Sequence, residues 1–331
     1  MTRRDLLVLL GGAATLRSFA ARAQKGDQMR RIGVLMGLAE SDKEAQSDIT
    51  ALEVGLKELG WSDGRNLAID LRWSAGDSTR MRALAAELVG LHPDLLIGHT
   101  TGPTTALRQA TDTIPIIFIQ ISDPIGSGFI RSLASPGGNL TGFSNYELSM
   151  GGKWLQLLTE MAPGLTRVGV LFNPRTAPYV PRYYLVSFEA AAVRHKVQLV
   201  TMSVQSPAEI EDAIDRLTQQ AGAGLAVMPD SFGLVHRDLI VGLTLKHKLP
   251  TISPYRDYIL IGGLVSYGVD IPDLFRRSAV YVDRILKGER PDNLPVQQPT
   301  KYALVINLKT AKAFGLTVPP ILLERADEII E

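Results

Sequence analysis

The apolar residues of this chain fall into short continuous runs and longer stretches with helical spacing. Ile32–Met36 and Ile116–Ile121 are continuous runs of the length expected for buried strands. Between them, Ala51–Leu59 repeats apolar positions at helical spacing and ends at Gly60, a common helix stop. Runs that alternate with helices in this way predict a parallel sheet built from strand, helix and strand units.

This alternation occurs twice along the chain. The sequence Arg-Ile-Gly-Val-Leu at Arg31–Leu35 returns as Arg-Val-Gly-Val-Leu at Arg167–Leu171, and a similar series follows each copy. We therefore expect an α/β fold with two halves of comparable size. The other predicted strands are Leu67–Trp73, Leu95–Gly98, Val168–Phe172, Val197–Met202, Leu225–Met228, Thr251–Ser253 and Leu264–Ser266. The other predicted helices are Thr79–Leu91, Thr104–Ala110, Gly126–Leu133, Arg182–Arg194, Ala208–Gln220, Val235–His247 and Leu274–Leu286.

The C-terminal tail is expected to contribute to both lobes, because it follows after both predicted sheets are largely built. Crossing points are predicted near Thr141 and Gly142, at Gly268 and within Pro291–Pro299, where turn residues concentrate. The predicted N-terminal lobe is 30–143 plus about 269–299, and the predicted C-terminal lobe is 144–268 plus about 300–331.

The first 23 residues have the form of an export signal. Arg3 and Arg4 give a positive start, Leu6–Leu16 is almost entirely apolar, and Ala21–Ala23 predicts cleavage after Ala23. The paired arginines fit a twin-arginine (Tat) signal as well as a Sec signal. A helix of the mature domain is the alternative. The signal predicts an exported protein, and we expect the mature chain to be soluble because no later stretch approaches the roughly 20 continuous apolar residues of a membrane helix.

The chain contains no cysteine, which excludes disulfides, thiolate metal sites and a lipid-modified cysteine. We therefore expect a freely diffusing periplasmic protein that is not a lipoprotein. Without the first 23 residues the chain has 31 basic and 33 acidic residues. The mature chain is thus slightly acidic, and nothing in its sequence resembles the clustered positive charge of a nucleic-acid interface, so no nucleic-acid partner is expected.

Motifs of catalysis are not found in the sequence. The five histidines show no metal-ligand spacing, and neither a Gly-x-Ser-x-Gly turn nor a phosphate loop occurs. We expect a binding protein rather than an enzyme, with no metal and no cofactor.

Candidate binding residues lie in the loops that follow predicted strands, where open α/β folds bind small molecules. Thr100, Thr101 and Thr104 surround a predicted helix N-terminus, whose free N–H groups suit a carboxylate. Plain helix capping is the alternative. Asp123 and Asp230 are candidates for a ligand ammonium, and each has a structural alternative as a cap or a surface-loop residue.

Aromatic residues are few, so their positions carry information. Tyr179, Tyr255 and Tyr267 lie in or beside predicted strand-end loops, where a ring would stack on a flat ligand. Core or rim packing is the alternative for each of them. Asn145 and Asn173 are candidate polar contacts of the same loops.

Several stretches resemble the substrate-binding proteins of ABC transporters, in the subgroup associated with aromatic amino acids such as tryptophan and tyrosine. The resemblance covers essentially the whole mature chain. The stretches that carry it are Glu58–Trp61, Gly64–Asn66, Thr113–Ile116, Ser122–Gly128, Ser135–Gly142, Ser266–Gly268 and Leu304–Ala311. The resemblance implies the periplasmic binding protein type I fold, in which two Rossmann-like lobes with parallel sheets are joined by a multi-stranded hinge.

The function that the resemblance implies is capture of a small ligand between the lobes and delivery to an ABC permease and its ATPase. The expected ligand is an amino acid, aromatic or branched, and the protein is expected to be a monomer. A sensor protein that presents its ligand to a receptor, and a binder of a nucleoside-like or sugar-like solute, are the alternatives.

Overall fold

The structure is a computed structural model and describes residues 29–331. The predicted export signal lies outside the described residues. Within the described part of the chain, no helix is long and apolar enough to cross a membrane.

The first sheet consists of five parallel strands; helices follow the first three, turns connect the fourth to the fifth, and the chain leaves the sheet after the fifth. The strands are β1 (Arg30–Met36), β2 (Leu67–Trp73), β3 (Leu95–His99), β4 (Ile116–Ile121) and β5 (Leu140–Ser144). Their order across the sheet is β2-β1-β3-β4-β5. The connecting helices are α1 (Lys43–Glu58), α2 (Ser78–Gly90) and α3 (Thr101–Ala110). Because helices cover both faces, β3 and β4 are buried along their whole length.

The second sheet has seven strands, all parallel to their neighbours except at one pair. The strands are β6 (Arg167–Phe172), β7 (Gln198–Ser203), β8 (Ala223–Val227), β9 (Thr251–Ser253), β10 (Val265–Gly268), β11 (Ala303–Asn307) and β12 (Glu328–Ile330). Their order is β12-β11-β10-β9-β8-β6-β7, with β10 and β11 antiparallel.

The remaining helices follow the same chain order. They are α4 (Met150–Met161), α5 (Val180–Tyr183), α6 (Leu185–His195), α7 (Pro207–Thr218), α8 (Ser231–Val235), α9 (Arg237–His247), α10 (Asp257–Leu260), α11 (Ile271–Leu286), α12 (Leu308–Phe314) and α13 (Pro320–Arg325). A short 3₁₀ turn occupies Pro291–Asn293.

The chain passes between the two sheets three times: after β5, after β10, and between the 3₁₀ turn and β11. Helix α11 returns to the first sheet and packs along α1 and against β4 and β5. Gln297, on the third crossing, pairs with Phe143 of β5. We call the first sheet with α1, α2, α3 and α11 the N-terminal lobe, the second sheet with its helices the C-terminal lobe, and the three crossings the hinge. The residue boundaries given above for the lobes stay a prediction.

Two mostly parallel sheets confirm the predicted α/β fold. Several elements differ from the prediction. The helix expected at Gly126–Leu133 is wrong, because these residues form turns with Gly128 at φ +69°. The helix expected at Arg182–Arg194 is interrupted at Tyr184, and that at Val235–His247 is interrupted at His236.

Candidate ligand-binding site

The carboxyl ends of the two sheets face each other, and their loops meet between the lobes. Tyr179 of the C-terminal lobe places its phenol among hydroxyls of the N-terminal lobe. Burial raises the pKa of the Tyr179 phenol, and the neighbouring carboxylate of Asp230 raises it further, whereas hydrogen bonding with Ser122 and Thr101 lowers it. The lobes are thus in direct contact at this point.

Several buried polar atoms around this contact lack a partner among residues 29–331. They are Thr100 Oγ1, Tyr184 Oη, Asn145 Oδ1 and His99 Nδ1. Tyr184 lies near Ser122, and the backbone N–H of Asn145 donates to the Ile121 carbonyl at the end of β4. These four atoms therefore surround the carboxyl ends of β3 and β4. An unsatisfied buried polar atom costs about 1–3 kcal/mol. Because native interiors seldom leave such groups unpaired, the cluster marks a place for a polar ligand.

The backbone at Thr100 is strained. Its φ of +68° and ψ of 174° fall in a region that is essentially reserved for glycine. Its amide donates to the Ile119 carbonyl at 2.9 Å, but its hydroxyl makes no capping hydrogen bond to α3. Gln120, at the end of the neighbouring strand, also has a positive φ of +66°. Such strain is typical of binding loops that aim a side chain in a fixed direction.

The N-terminus of α3 adds donors to the same group. The helix begins at Thr101, directly after the strained Thr100, and the N–H groups of its first turn have no partner within a helix. The helix dipole gives this end a partial positive charge, which favours a carboxylate. Together with the unpartnered Thr100 hydroxyl, these amides form a set of hydrogen-bond donors for an anionic ligand group.

Asp230 supplies the opposite charge from the C-terminal lobe. Its carboxylate accepts hydrogen bonds from the Asn173 amide at 2.7 Å, the Phe232 amide at 3.0 Å and the Thr176 hydroxyl. Burial raises the pKa of Asp230 to about 6, against the lowering effect of these three hydrogen bonds. A carboxylate has about four acceptor positions, so one remains for a ligand donor such as an ammonium.

Some candidate side chains are engaged within their own lobe. The Thr104 hydroxyl donates to the carbonyls of Gly98 and Thr100 at 3.1 and 2.8 Å. Asp123 accepts from the Gly126 amide at 2.7 Å and so closes a turn rather than a helix. The structure does not bring the Thr104 hydroxyl to the contact between the lobes.

Two of the three tyrosine candidates lie at the contact between the lobes, and the third lies elsewhere. Tyr179 donates to the Pro229 carbonyl at 2.7 Å, directly before Asp230, and Tyr255 is buried beside it. Tyr267 instead stacks on Tyr302, with ring centroids 5.7 Å apart, in a pocket on the outer side of α4. The structure therefore does not place Tyr267 with the other candidates.

Asn173 and Asn145 both lie near the contact between the lobes, but their side chains have different hydrogen-bond partners. The Asn173 side chain accepts from the Arg175 amide at 2.8 Å and holds the loop after β6, while its own amide donates to Asp230. Asn145 is buried at the end of β5 with its side-chain oxygen unpartnered among residues 29–331. As contacts of a ligand, all ten candidate residues stay predictions.

Three further polar groups near the contact are not among the residues predicted from the sequence: Tyr184, Ser122 and the pair formed by His99 and Gln120. Tyr184 falls inside the predicted helix Arg182–Arg194, and the helical spacing gives no signal of the interruption at this residue. Ser122 directly precedes the candidate Asp123 at a strand end, which was the available signal. His99 precedes Thr100, and its Nε2 lies 2.6 Å from Gln120 Oε1.

Two cavities flank the contact between the lobes. The outer cavity, of about 700 Å³, is lined by Thr101, Asn173, Thr176 and Phe232 together with exposed side chains such as Asp77. The hinge-side cavity, of about 410 Å³, is lined by His99, Gln120, Leu234, Tyr255 and Asp48 together with residues of the crossings. Both volumes lie in the range of small-molecule sites.

An ion pair also joins the lobes. The Arg237 guanidinium at the start of α9 donates to the Asp42 carboxylate, with 2.5 Å between Nη2 and Oδ2. The other oxygen of Asp42 accepts the amides of Glu44 and Ala45 and caps α1. Both side chains are largely buried. Asp42 therefore connects the start of α1 to the opposite lobe.

Two α/β lobes with a hinge of three crossings and a polar site between them define the class of type I periplasmic binding proteins. The sequence profile of the family described as ABC transporter substrate binding protein matches residues 40–330, so the chain belongs to that family. Members of the family are substrate-binding proteins rather than enzymes.

Known relatives extend over most of the chain. A tyrosine-binding protein of Clostridioides difficile (strain R20291) is 27% identical over 275 residues, which are 83% of this chain and 77% of the relative. An ABC domain of Streptococcus pneumonia, solved in complex with L-Trp, is 27% identical with a TM-score of 0.84, covering 91% of this chain and 99% of that one. A conserved domain protein of Vibrio cholerae is 28% identical with a TM-score of 0.84, covering 91% and 100%.

Among residues 29–331, no group of three His, Cys, Asp or Glu side chains is placed to hold a metal ion.

Proposed function

We propose that this protein is the solute-binding component of an ABC importer and that its ligand is an amino acid with an aromatic side chain. The ligand is captured between the lobes and delivered to a membrane permease and its ATPase. The predicted export signal and the lack of cysteine support a periplasmic protein without a lipid anchor. We propose that it acts as a monomer, since each chain contains both lobes of the site.

The observation that carries this proposal is the pairing of opposite binding groups across the cleft. The N-terminal lobe offers the Thr100 hydroxyl and the amides at the start of α3, which suit a carboxylate. The C-terminal lobe offers the remaining acceptor position of Asp230, which suits an ammonium. An α-amino acid carries both groups on one carbon and would therefore bridge the lobes.

The preference for an aromatic ligand rests on the side chains around these groups and on the relatives. Tyr179, Tyr184 and Tyr255 are all buried where the lobes meet, and aromatic rings pack well against flat ligands. One of the relatives above is described as tyrosine-binding and another was solved with L-Trp. We transfer this ligand class to the present chain as a hypothesis.

Ligand binding would favour the closed arrangement of the lobes. A ligand that contacts Thr100 in one lobe and Asp230 in the other gains its full set of interactions only when the lobes are together. A permease that recognises both lobes would then distinguish loaded from unloaded protein.

The test is thermal unfolding of refolded, ligand-stripped protein against separate panels of amino acids, nucleosides and sugars. A ligand present at about 100 times its dissociation constant adds about 2.7 kcal/mol to the free energy of unfolding. We expect tryptophan, tyrosine or phenylalanine to raise the unfolding temperature, and nucleosides and sugars to leave it unchanged. If every aromatic and branched amino acid leaves the transition unmoved, the proposal is wrong.

A further inference from the structure

The hinge-side cavity adjoins the proposed amino-acid site and is built by both lobes. His99 is the residue before Thr100, and Leu234 belongs to α8, which Asp230 caps. Tyr255 and the crossing residues Gly268 to Ile271 complete the wall. The cavity is therefore lined by residues close in the chain to both proposed ligand-binding groups, and residues such as Ser47 and Arg256 on its rim are exposed.

Asp48 presents an unpaired acceptor in this cavity. It lies on α1, is only 4% exposed and lines the cavity. Burial raises the pKa of Asp48, and the carboxylates of Asp257 and Glu44 raise it further. Among residues 29–331, the Asp48 carboxyl group accepts no side-chain or backbone hydrogen bond, and the largest effects on its pKa all raise it. A buried carboxyl group without a partner is costly unless a ligand supplies one.

His99 lines the same cavity and has a buried acceptor beside it. The residue is 1% exposed, and its Nε2 lies 2.6 Å from Gln120 Oε1, so Nε2 carries the hydrogen. Burial lowers the pKa of His99 to about 4, which keeps the ring neutral at pH 7. Its Nδ1, unpartnered within the described chain, is therefore a lone-pair acceptor.

The chemistry of the lining indicates what these acceptors would bind. Apolar walls from Leu38, Leu234, Val269 and Ile271 suit the body of a side chain. Acidic side chains, including Glu44, Asp257 and Asp270, line the same cavity, so its polar part suits a hydrogen-bond donor rather than an anion.

We infer that the hinge-side cavity is a side-chain subsite in which Asp48 and His99 select ligands whose side chain ends in an N–H or O–H donor. This inference rests on the proposed function, because it requires an amino acid held at Thr100 and Asp230 to extend its side chain into the cavity. The shared chemistry fits a neutral ring donor, such as an indole or a phenol, and also a cationic ammonium or guanidinium group.

The test compares pairs of ligands that differ only in the donor. Dissociation constants are measured by calorimetry for tyrosine against phenylalanine, and for tryptophan against 1-methyltryptophan. We expect the member with the donor to bind at least about tenfold more tightly, because a site built for a hydrogen bond is left unpaired by the analogue. Arginine distinguishes a cationic donor from a neutral ring donor. Tighter binding of arginine than of either aromatic ligand supports a cationic donor.

Variants then assign the preference to the cavity. Asp48→Ala removes an unpaired buried carboxylate, so the variant should fold, and the preference for the donor should fall to about threefold or less. His99→Phe keeps a ring against Phe275, whose centroid lies 5.4 Å away, and removes Nδ1. Glu53→Ala, an exposed carboxylate on the same helix, is the matched control and should leave the preference unchanged.

The outcomes separate the two proposals. If aromatic amino acids bind but tyrosine and phenylalanine bind equally, or if the preference survives both Asp48→Ala and His99→Phe, the subsite is refuted while the proposed function stands. If no amino acid binds at all, both proposals are overturned.

Discussion

Asp230 is the residue on which the proposed recognition of an amino group depends. Three hydrogen bonds from its own lobe orient the carboxylate and leave one acceptor position. In Asp230→Asn the side chain keeps an oxygen for capping α8 but loses the charge. We expect binding to weaken by about 10- to 100-fold, the range of a hydrogen bond to a charged group, while the fold is retained. Calorimetric titration with tryptophan measures this, and Asp212→Asn on the exposed face of α7 is the control. Unchanged affinity in Asp230→Asn would remove the residue from the site.

The raised pKa of Asp230 predicts a pH dependence of binding. Burial raises this pKa from 3.8 to about 6, so the protonated form stabilises the fold at low pH and that contribution is lost as the pH rises through 6. The affinity for the ligand depends on pH in the opposite direction and rises with pH, because the ligand ammonium binds the ionised carboxylate. Affinity should fall about tenfold per pH unit below 6. Burial also raises the pKa of Asp257 to about 6, so Asp257→Asn serves as the control. The dependence should persist in Asp257→Asn and disappear in Asp230→Asn; the reverse pattern would assign it to Asp257.

Thr100 combines backbone strain with an unpartnered hydroxyl. Thr100→Gly relieves a conformation that costs about 1–3 kcal/mol, against an entropy cost of about 0.5–1 kcal/mol for the new glycine. We expect the free energy of unfolding to rise by about 1 kcal/mol and the affinity for the ligand to fall. Denaturant unfolding and calorimetry on the same preparation check both effects. A variant that is less stable than the parent would show that the threonine is not strained in solution.

The sequence predicted which candidate residues directly follow strands, and parallel strands bring their carboxyl ends to one edge of the sheet. Thr100 and Asp230 lie there, as expected from the runs before them. The spacing of residues along the sequence does not predict the direction of a hydroxyl group. The Thr104 hydroxyl, for example, donates to carbonyls within its own lobe. Tyr184 was missed because its burial depends on the break between α5 and α6, which local periodicity does not encode.

At the scale of elements, α1 is tied to the opposite lobe through its capping residue. Asp42→Asn preserves an oxygen that caps the helix but weakens the pair with Arg237 across the cleft. We expect the ligand affinity to fall about 5- to 10-fold, because closure loses part of a largely buried charged hydrogen bond. Asp77→Asn is the matched control: Asp77 caps α2 of the same lobe in the same way and is exposed.

Equal affinities of the Asp42→Asn and Asp77→Asn variants would show that the ion pair does not contribute to closure. Thermal unfolding of both variants without ligand provides the check on folding: both retain a capping oxygen and should unfold cooperatively, with the lower unfolding temperature in Asp42→Asn, which also loses charge opposite Arg237.

Buried strands were predictable because a strand covered by helices on both faces has apolar side chains on both faces, and its sequence is therefore a continuous apolar run. The predicted bounds of β2 and α2 lie within one residue of the observed bounds, and the predicted bounds of β4 equal the observed ones. Helix α4 and strand β5 were not predicted, since Gly151 and Gly152 weaken the helical pattern of α4. The structure explains Gly151: a Cβ there would lie 2.6 Å from the Tyr184 carbonyl, so α4 approaches α6 closely only with glycine.

At the scale of the whole molecule, the structure is a pair of lobes in contact across the site. Tyr179 interacts with hydroxyls of the opposite lobe, and Asp42 pairs with Arg237. Without ligand, the buried polar atoms between the lobes regain water when the lobes separate, so we expect an open population. Small-angle scattering should show a smaller radius of gyration after addition of saturating tryptophan. An identical radius with and without bound ligand would contradict closure.

The central claim is that an amino acid bridges Thr100 and Asp230 and holds the lobes together. The most direct test is calorimetric titration of ligand-stripped protein with L-tryptophan and L-tyrosine at pH 7.5, in parallel with tryptamine, which lacks the carboxylate, and indole-3-propionate, which lacks the ammonium. The account predicts saturable binding of one amino acid per chain and at least about tenfold weaker binding of both analogues. Equal binding of an amino acid and either analogue, or no heat from any amino acid, would contradict it.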